Sequence, residues 1–271
     1  MRIATWNVNS VGARLPRLLA WLEETAPDVV CLQETKTADF PSNAVGELGY
    51  AVAHNGDGRW NGVAILSRVG LDDVALAFPG QPGYANTDEG ALLQPDPVVE
   101  ARALGATCGG LRIWSLYVPN GRELGHPHYD YKLAWLSALR TALAPEVAAG
   151  PFVVAGDFNI APTDDDVWDP SLFTTSTHVT PAERRALADL QSMGLRDVVP
   201  TISKGRVFTY WDYRAGMFHK GNGMRIDLVY ANGGVTVQDA WVDREARKGT
   251  GPSDHAPVVV DLTLSPLRHS P

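Results

Sequence analysis

The sequence predicts an α/β protein, built as a four-layer αββα sandwich of two packed mixed β-sheets flanked by helices. Three observations support this fold class: short β-branched runs recur, segments with helical spacing are fewer, and the two kinds are mixed along the chain. Such a mixture fits two sheets packed face to face with helices outside. No low-complexity linker divides the 271 residues, so we expect a single domain over residues 1–265 and a short C-terminal tail over 266–271.

Apolar runs, most of which end at Gly, Pro, Asn or Asp, give the predicted strands, because those residues favour turns. The runs cover residues 29–32, 62–66, 111–118, 152–155, 226–230, 235–242 and 258–262. Leucines repeat at helical spacing over residues 15–22 and 133–143, and a third helix is predicted over residues 181–192.

The composition is that of a soluble globular protein, with 45% hydrophobic and 20% charged residues. The two cysteines, Cys31 and Cys108, form neither a disulfide framework nor a zinc-binding pattern. The first residues lack the apolar region of a signal peptide, and no run of 18 apolar residues is present. We therefore expect a cytoplasmic enzyme with no membrane partner.

Charge is unevenly distributed along the chain. The net charge of −8 argues against a general nucleic-acid coat protein, because such proteins are usually basic. Five aspartates nevertheless fall within residues 157–169, and five cations within residues 204–225 stand against one acid, Asp212. These cations, called here the basic strip, are Lys204, Arg206, Arg214, Lys220 and Arg225. An acidic metal pocket beside a basic surface would produce this imbalance.

Polar side chains stand at or near the ends of the predicted strands. Each one alone is explained as a turn residue, a half-buried strand residue or a solvated strand end. Together they indicate a functional rim, because strands of a sheet share an edge and their ends can converge there. The residues are Asn7, Glu34, Tyr117, Asp157, Asn159, Asp227, Asp254 and His255.

Several of these positions indicate particular chemistry. Glu34 offers carboxylate oxygens, which suit magnesium or manganese. Asp157 and Asn159 lie two residues apart, so an extended chain directs both side chains to one face. Asp227 lies in an apolar run, where a carboxylate needs a partner. His255 is the candidate partner, because such a pair fixes the imidazole tautomer and favours its charged form.

Eight motifs occur in order over nearly the whole chain. They are WNVN (6–9), LQETK (32–36), GVAILS (62–67), YVPNG (117–121), GDFNIAPT (156–163), FTYWDYR (208–214), RIDL (225–228) and SDHAP (253–257). Together they resemble the exonuclease III family of abasic-site endonucleases, within the wider fold group that includes deoxyribonuclease I. The GDxN and SDH motifs are shared across that group, whereas LQETK, the WxY stretch and RID together are specific to the abasic-site branch.

The resemblance implies a divalent cation, Mg²⁺ or Mn²⁺, held by Glu34 with Asn7 and Asp254 nearby. Oxygen ligands suit both cations, so the residues do not choose between them. Whether one or two cations serve catalysis stays open. The group that protonates the leaving oxygen also stays open among Tyr117, Asp254 and metal-bound water.

The resemblance also implies catalytic roles. Asp157 would orient and deprotonate the attacking water, and Asp227 would pair with His255. Phosphodiester hydrolysis builds negative charge on the phosphate oxygens, and a cation, an imidazolium and fixed donors can meet that charge. The residues implied to hold the scissile phosphate are Asn7, Tyr117 and Asn159.

Aromatic residues interleave with the basic strip, and this combination suits a sugar or base exposed beside phosphates. A structural aromatic cluster with solvated cations would give the same pattern. By resemblance, the residues that line a pocket for a flipped abasic sugar are Tyr210, Trp211, Met224 and Ile226. The other expected DNA contacts are Arg214 in a groove beside the lesion and, at phosphates, Lys36, Asn120 and Arg122.

The resemblance thus implies a metal-dependent DNA phosphodiesterase of base excision repair, active as a monomer on duplex DNA with abasic sites or 3′ ends. It would incise 5′ to abasic sites and remove nucleotides or blocking groups from 3′ ends. Two alternatives stay open. One is a phosphodiesterase of the same fold group that acts on phospholipid head groups, inositol phosphates or RNA; the other is a DNA-binding module without catalysis. Loops over residues 70–100 and 245–251 match the family loosely, so the balance of activities is not predicted.

Overall fold

The computed structural model describes residues 1–85, 96–201 and 205–265. The expected C-terminal tail, residues 266–271, and Lys204 of the basic strip lie outside the described residues. Among the helices of the described ranges, none combines the length and hydrophobicity that a transmembrane span needs.

Two six-stranded sheets form the centre of the fold in the described part of the chain. The strands are β1 (Arg2–Asn7), β2 (Val29–Gln33), β3 (Ala51–Asn55), β4 (Val63–Ser67), β5 (Asp72–Ala75), β6 (Ala103–Cys108), β7 (Leu111–Tyr117), β8 (Phe152–Asp157), β9 (Arg196–Asp197), β10 (Asp227–Ala231), β11 (Val235–Val242) and β12 (Val258–Leu264). The sheet orders are β11-β12-β1-β2-β4-β3 and β5-β6-β7-β8-β10-β9. Both sheets are mixed, because β1 pairs with β2 and β7 with β8 in parallel, whereas the flanking pairs are antiparallel.

Helices cover the outer faces of the two sheets. The helices are α1 (Val11–Thr25), α2 (Ser42–Gly46), α3 (Pro127–Ala149), α4 (Pro181–Gln191) and α5 (Met217–Lys220). In α1, Leu18 and Leu22 pack on apolar side chains of the first sheet. Trp135 of α3 and Leu187 of α4 pack on the second sheet. The inner faces of the sheets share a third apolar cluster, so the four-layer αββα fold class is confirmed.

The register of the central strands gathers the polar strand ends. Asn7 at the end of β1 pairs with Gln33 at the end of β2, next to Glu34. In the second sheet, Asp157 at the end of β8 pairs with Tyr117 on one side and with Asp227 on the other. The two parallel pairs therefore direct their carboxyl ends to one rim, where the expected site residues meet.

Candidate active site

A close approach between β7 and β8 sets the position of Asp157. A Cβ atom at Gly156 would lie 1.9 Å from the carbonyl oxygen of Leu116, so no side chain fits there. The main chain of β8 can therefore lie against β7 directly before Asp157, whose carboxylate is 1% exposed. Glycine at this position is required by packing and not by loop flexibility.

Asn7 connects the two acids of the site. Its Nδ2 donates hydrogen bonds of 2.9 Å both to Glu34 Oε1 and to Asp157 Oδ2. Lys36 Nζ lies 2.6 Å from the other oxygen of Glu34 and also donates to Asn9. Because Asn7 is fully buried, this arrangement fixes both carboxylates relative to each other.

The two acids differ in their proton affinity. Burial acts to raise the pKa of Glu34, but Lys36 and Asn7 outweigh it and the pKa is lowered, so Glu34 is ionised near neutral pH. Burial raises the pKa of Asp157 to about 7, against the opposing effect of His255 and with support from the charges of Asp227 and Glu34. The site therefore combines an ionised carboxylate with one that accepts a proton readily.

His255 forms an ion pair with Asp227. The His255 ring contacts Asp227 Oδ2 through Nδ1 at 2.8 Å, and its Nε2 lies 3.8 Å from Asp157 Oδ2. Burial lowers the pKa of His255, but Asp227 and Asp157 outweigh it and raise the pKa to about 10. The imidazole is therefore held as a cation, and its contact with Asp227 through Nδ1 fixes the orientation of the ring.

The rim has the donor chemistry of a divalent-cation site. Glu34, Asp157 and His255 offer ligand atoms within 4.8 Å of one another. The carboxylate oxygens fit Mg²⁺ or Mn²⁺, whereas His255 is occupied by Asp227 and positively charged. The third expected metal residue, Asp254, is not part of this group; its carboxylate accepts a hydrogen bond of 3.0 Å from Asn9.

Two further expected residues flank Asp157. The main-chain N–H of Asn159 donates to Asp157 Oδ1 at 2.9 Å, and Asn120 Nδ2 donates to Asn159 Oδ1 at 3.1 Å. Burial, together with the nearby charge of Glu34, holds the pKa of the Tyr117 hydroxyl well above its ordinary value. The guanidinium of Arg102 lies 4.8 Å from the centre of the Tyr117 ring. Asn159 and Tyr117 thus both lie next to Asp157.

A pocket of about 290 Å³ opens beside the catalytic rim. Tyr210 and Met224, two of the residues predicted to contact an abasic sugar, line it, and the Tyr210 ring lies 4.9 Å from the His255 ring. Ile226 lies behind Met224 in the same apolar cluster. Sequence reasoning missed Trp168 and His178, which also line the pocket. Both lie in irregular segments, so no strand-end pattern marked them.

The expectation that Trp211 lines this pocket is corrected by the structure. The Trp211 side chain is 1% exposed and packs against Phe218, with ring centres 5.1 Å apart. It belongs to a separate buried cluster with Phe208 and Ala256. Trp211 therefore supports the wall of the site from behind.

Only some residues of the basic strip are exposed at the protein surface. Arg225 is buried and bonds both Asp166 and Asp197, so it is a structural residue. Arg214 is different: its side chain is 89% exposed, with Asp212 as its ion-pair partner at 2.7 Å. The expected contacts Asn120 and Arg122 line a second hollow of about 700 Å³. The same hollow is lined by Arg59 and Trp60, which sequence reasoning also missed.

Comparison with known proteins agrees with this geometry. Residues 4–255 match the Endonuclease/Exonuclease/phosphatase family. Exodeoxyribonuclease III of Haemophilus influenzae is 30% identical over 95% of this chain and 98% of its own. Two solved structures are similar: a 3′ phosphatase from Neisseria bound to a product DNA hairpin (TM-score 0.88, 34% identity, 97% of this chain and 99% of that one) and an AP endonuclease from Archaeoglobus fulgidus (TM-score 0.87, 32% identity, 97% and 100%).

The fold and the acid–histidine site are those of an enzyme that cleaves phosphodiesters, and the comparisons identify the family within this class. The chain belongs to the Endonuclease/Exonuclease/phosphatase family, within the exonuclease III branch of DNA-repair nucleases.

Proposed function

We propose that this protein is a divalent-metal-dependent DNA phosphodiesterase of base excision repair. It incises duplex DNA 5′ to abasic sites and removes nucleotides or blocking groups from 3′ ends. The observation that carries the proposal is the bridge of Asn7 between Glu34 and Asp157, beside the Asp227–His255 pair. The substrate is supported by the relatives, one a 3′ phosphatase bound to product DNA and another an AP endonuclease.

The proposed cofactor is Mg²⁺ or Mn²⁺. Glu34 would hold the cation, because its lowered pKa keeps it ionised, and Asn7 would lie nearby. The bound cation supplies positive charge against the phosphate oxygens. Asp254 would lie near the cation, with its carboxylate accepting a hydrogen bond from Asn9.

Asp157 is the proposed general base towards water. Its carboxylate is oriented by the N–H of Asn159 and by Asn7, and its raised pKa favours acceptance of a proton. Asp227 holds Nδ1 of His255, so the Nε2–H is free of Asp227 and can donate to a charged phosphate oxygen.

The remaining site residues would bind the substrate. We assign the scissile phosphate to Asn7, Tyr117 and Asn159, each of which contacts or pairs with Asp157. Tyr210 and Met224 would contact the sugar next to it, with Ile226 behind them. The proposed contacts to the DNA backbone are Lys36, Asn120, Arg122 and Arg214. We further propose, from the sequence resemblance, a cytoplasmic monomer with a single domain over residues 1–265.

Substitution Asp157→Asn tests the proposal. The amide keeps the size of the side chain but cannot take a proton, so turnover should fall by about 10²–10⁴-fold while DNA binding stays near normal. The measurement is single-turnover cleavage of duplex DNA in magnesium, with the exposed Asp189→Asn on α4 as control. Near-normal cleavage by Asp157→Asn would contradict the assigned base.

A further inference from the structure

A buried ion pair lies directly behind the phosphate-binding rim. Lys132 of α3 and Glu183 of α4 have fully buried side chains, and Lys132 Nζ lies 2.5 Å from Glu183 Oε1. The removal of two charges from water is costly, and a buried pair is often no more stabilising than apolar residues of similar size. Stability alone therefore does not explain why charged residues occupy these positions.

The ammonium group of Lys132 connects two segments that are distant in sequence. It donates to the carbonyl oxygen of Asn159 at 2.7 Å and to that of Asn120 at 3.2 Å. The side chains of these two asparagines are themselves hydrogen-bonded at 3.1 Å. One cation thus fixes the main chain of both residues from behind while their side chains meet at the rim.

The hydrogen bond that positions Asn159 also affects Asp157, the proposed base. Asn159 has a φ of 52°, in the left-handed region that non-glycine residues adopt only at a cost. Its carbonyl oxygen faces Lys132, and its N–H donates to Asp157 Oδ1. A shift of this residue would therefore move both a phosphate ligand and the carboxylate that activates water.

Glu183 fixes the other side of the pair. Its Oε1 accepts hydrogen bonds from Thr177 Oγ1 and from the N–H of His178, and its Oε2 accepts from the N–H of Thr180. The last contact belongs to the capping box of α4. The Thr177 hydroxyl oxygen also lies 3.1 Å from the carbonyl oxygen of Asn120, so this threonine connects Glu183 to the rim.

We propose that Lys132 and Glu183 are positioning residues for phosphodiester hydrolysis. Buried and remote from solvent, they act through Asn120 and Asn159, whose main chain the ammonium holds in the orientation that catalysis needs. The inference rests on the proposed function and deepens it, because it assigns the alignment of the rim to a charge pair that does not touch DNA.

The test uses a double variant and a matched control. Lys132→Met with Glu183→Gln removes both charges, preserves the volume and keeps an acceptor for the capping box. Arg112→Met breaks an ion pair between the start of β7 and the end of α3, Arg112–Glu146 at 2.9 Å, at the opposite end of β7 from Tyr117 and the rim. Melting temperature, KM and kcat are measured for both variants with duplex DNA in magnesium.

We expect the double variant to lose kcat on the order of tenfold to a hundredfold, because small misplacements of catalytic groups have effects of this size. KM should change little, and Arg112→Met should keep normal kcat. Addition of Asn159→Ala to the double variant should lower kcat little further, since both changes remove the same function. Normal kcat in the double variant, or full multiplication of the two losses, would overturn the proposal.

Two further measurements test the proposal independently of the double variant's kcat. If the double variant does not fold, Lys132→Arg decides, because it keeps the cation but moves its donors: lower kcat at unchanged KM and melting temperature supports the proposal, and unchanged kcat overturns it. Amide hydrogen exchange over residues 157–161 does not depend on turnover. Faster exchange there than in Arg112→Met supports the positioning role, and equal exchange contradicts it. Failure of the wild-type protein to cleave DNA would instead contradict the proposed function.

Discussion

Asn7 stabilises two neighbouring carboxylates at the centre of the site. Glu34 and Asp157 converge on one rim, and two close carboxylates repel each other. The amide nitrogen of Asn7 has two N–H groups, and each carboxylate receives one of them at 2.9 Å. A buried asparagine thus holds two acids at a fixed separation, which is the geometry that a divalent cation can then reinforce.

Neighbouring aromatic residues of the same motif are expected to act differently. Trp211→Ala removes a fully buried indole and should lower the free energy of unfolding by about 3–5 kcal/mol. Tyr210→Ala changes a pocket wall and should instead lower cleavage of abasic duplex relative to removal of nucleotides from intact 3′ ends. Urea unfolding and the ratio of the two kcat/KM values measure these effects. A stable Trp211→Ala protein with an altered ratio would contradict the assignment.

His128 gives the protein an expected sensitivity to acid. Burial, together with Arg102 and Arg122, lowers the pKa of His128 to about 4, and its Nδ1 accepts a hydrogen bond from the N–H of Gly121. Between pH 6.5 and about 4, His128 is protonated in the unfolded chain but remains neutral in the folded protein. The contribution of neutral His128 to the free energy of unfolding is fully present above pH 6.5. It is lost as pH falls to about 4, with a slope of at most about 1.4 kcal/mol per pH unit.

Substitution His128→Asn tests this contribution, because the asparagine oxygen can still accept from Gly121 but does not titrate. Stability measured from pH 7.5 to 4 should fall less steeply in the variant than in the wild-type protein. His178, whose pKa burial also lowers to about 4, stays in both proteins and supplies the same background. Parallel stability curves would rule out the assignment to His128.

Which side chains meet could be predicted better than which are buried. The expected Asp227–His255 contact is present, because a carboxylate in an apolar strand requires a partner. By contrast, the sequence did not show that Trp211 is buried whereas Tyr210 is partly exposed. It also did not show that Arg225 is buried whereas Arg214 is exposed. Adjacent residues of an extended segment point to opposite faces, and a motif alone does not state which face is covered.

At the level of elements, strands with continuous apolar runs were predictable, whereas the exposed β5 and the buried but glycine-interrupted β6 were not. The strand over residues 152–155 continues to Asp157, whereas β5 and β6 were not predicted. In β6 the pattern is interrupted by Gly105, where a Cβ atom would lie 2.6 Å from the Trp114 ring. The glycine accommodates an indole on the neighbouring strand, which is a tertiary constraint that strand propensity does not contain.

Two glycines at the ends of the β8 region give an element-level prediction. Gly156→Ala would place a methyl group against the backbone of β7, so we expect a loss of about 2–3 kcal/mol in stability and a displaced Asp157. Gly150→Ala has open space around its Cβ position and an extended φ of −176°, so it serves as the control. Thermal unfolding and single-turnover cleavage are measured for both. Equal behaviour of the two variants would contradict the packing argument.

For the whole molecule, net charge is a poor guide to the DNA-binding face. The chain carries a net charge of −8, yet several of its cations are internal. Lys132 and Arg225 are buried in ion pairs with acids from other segments, and Arg102 is buried in an ion pair with the nearby Glu100. The linear charge pattern cannot separate such structural cations from exposed ones like Arg214. The fold as a whole was nevertheless predictable, because motifs in a fixed order imply a fixed arrangement of strands.

The most direct test of the account is cleavage of an end-labelled duplex that contains one abasic analogue, with magnesium and with a chelator. We expect incision immediately 5′ to the lesion in magnesium and none in the chelator. A ladder from the 3′ end without incision at the lesion would contradict the abasic-site assignment. The absence of cleavage in both magnesium and manganese would contradict the nuclease account itself, in favour of lipid, inositol phosphate or RNA substrates.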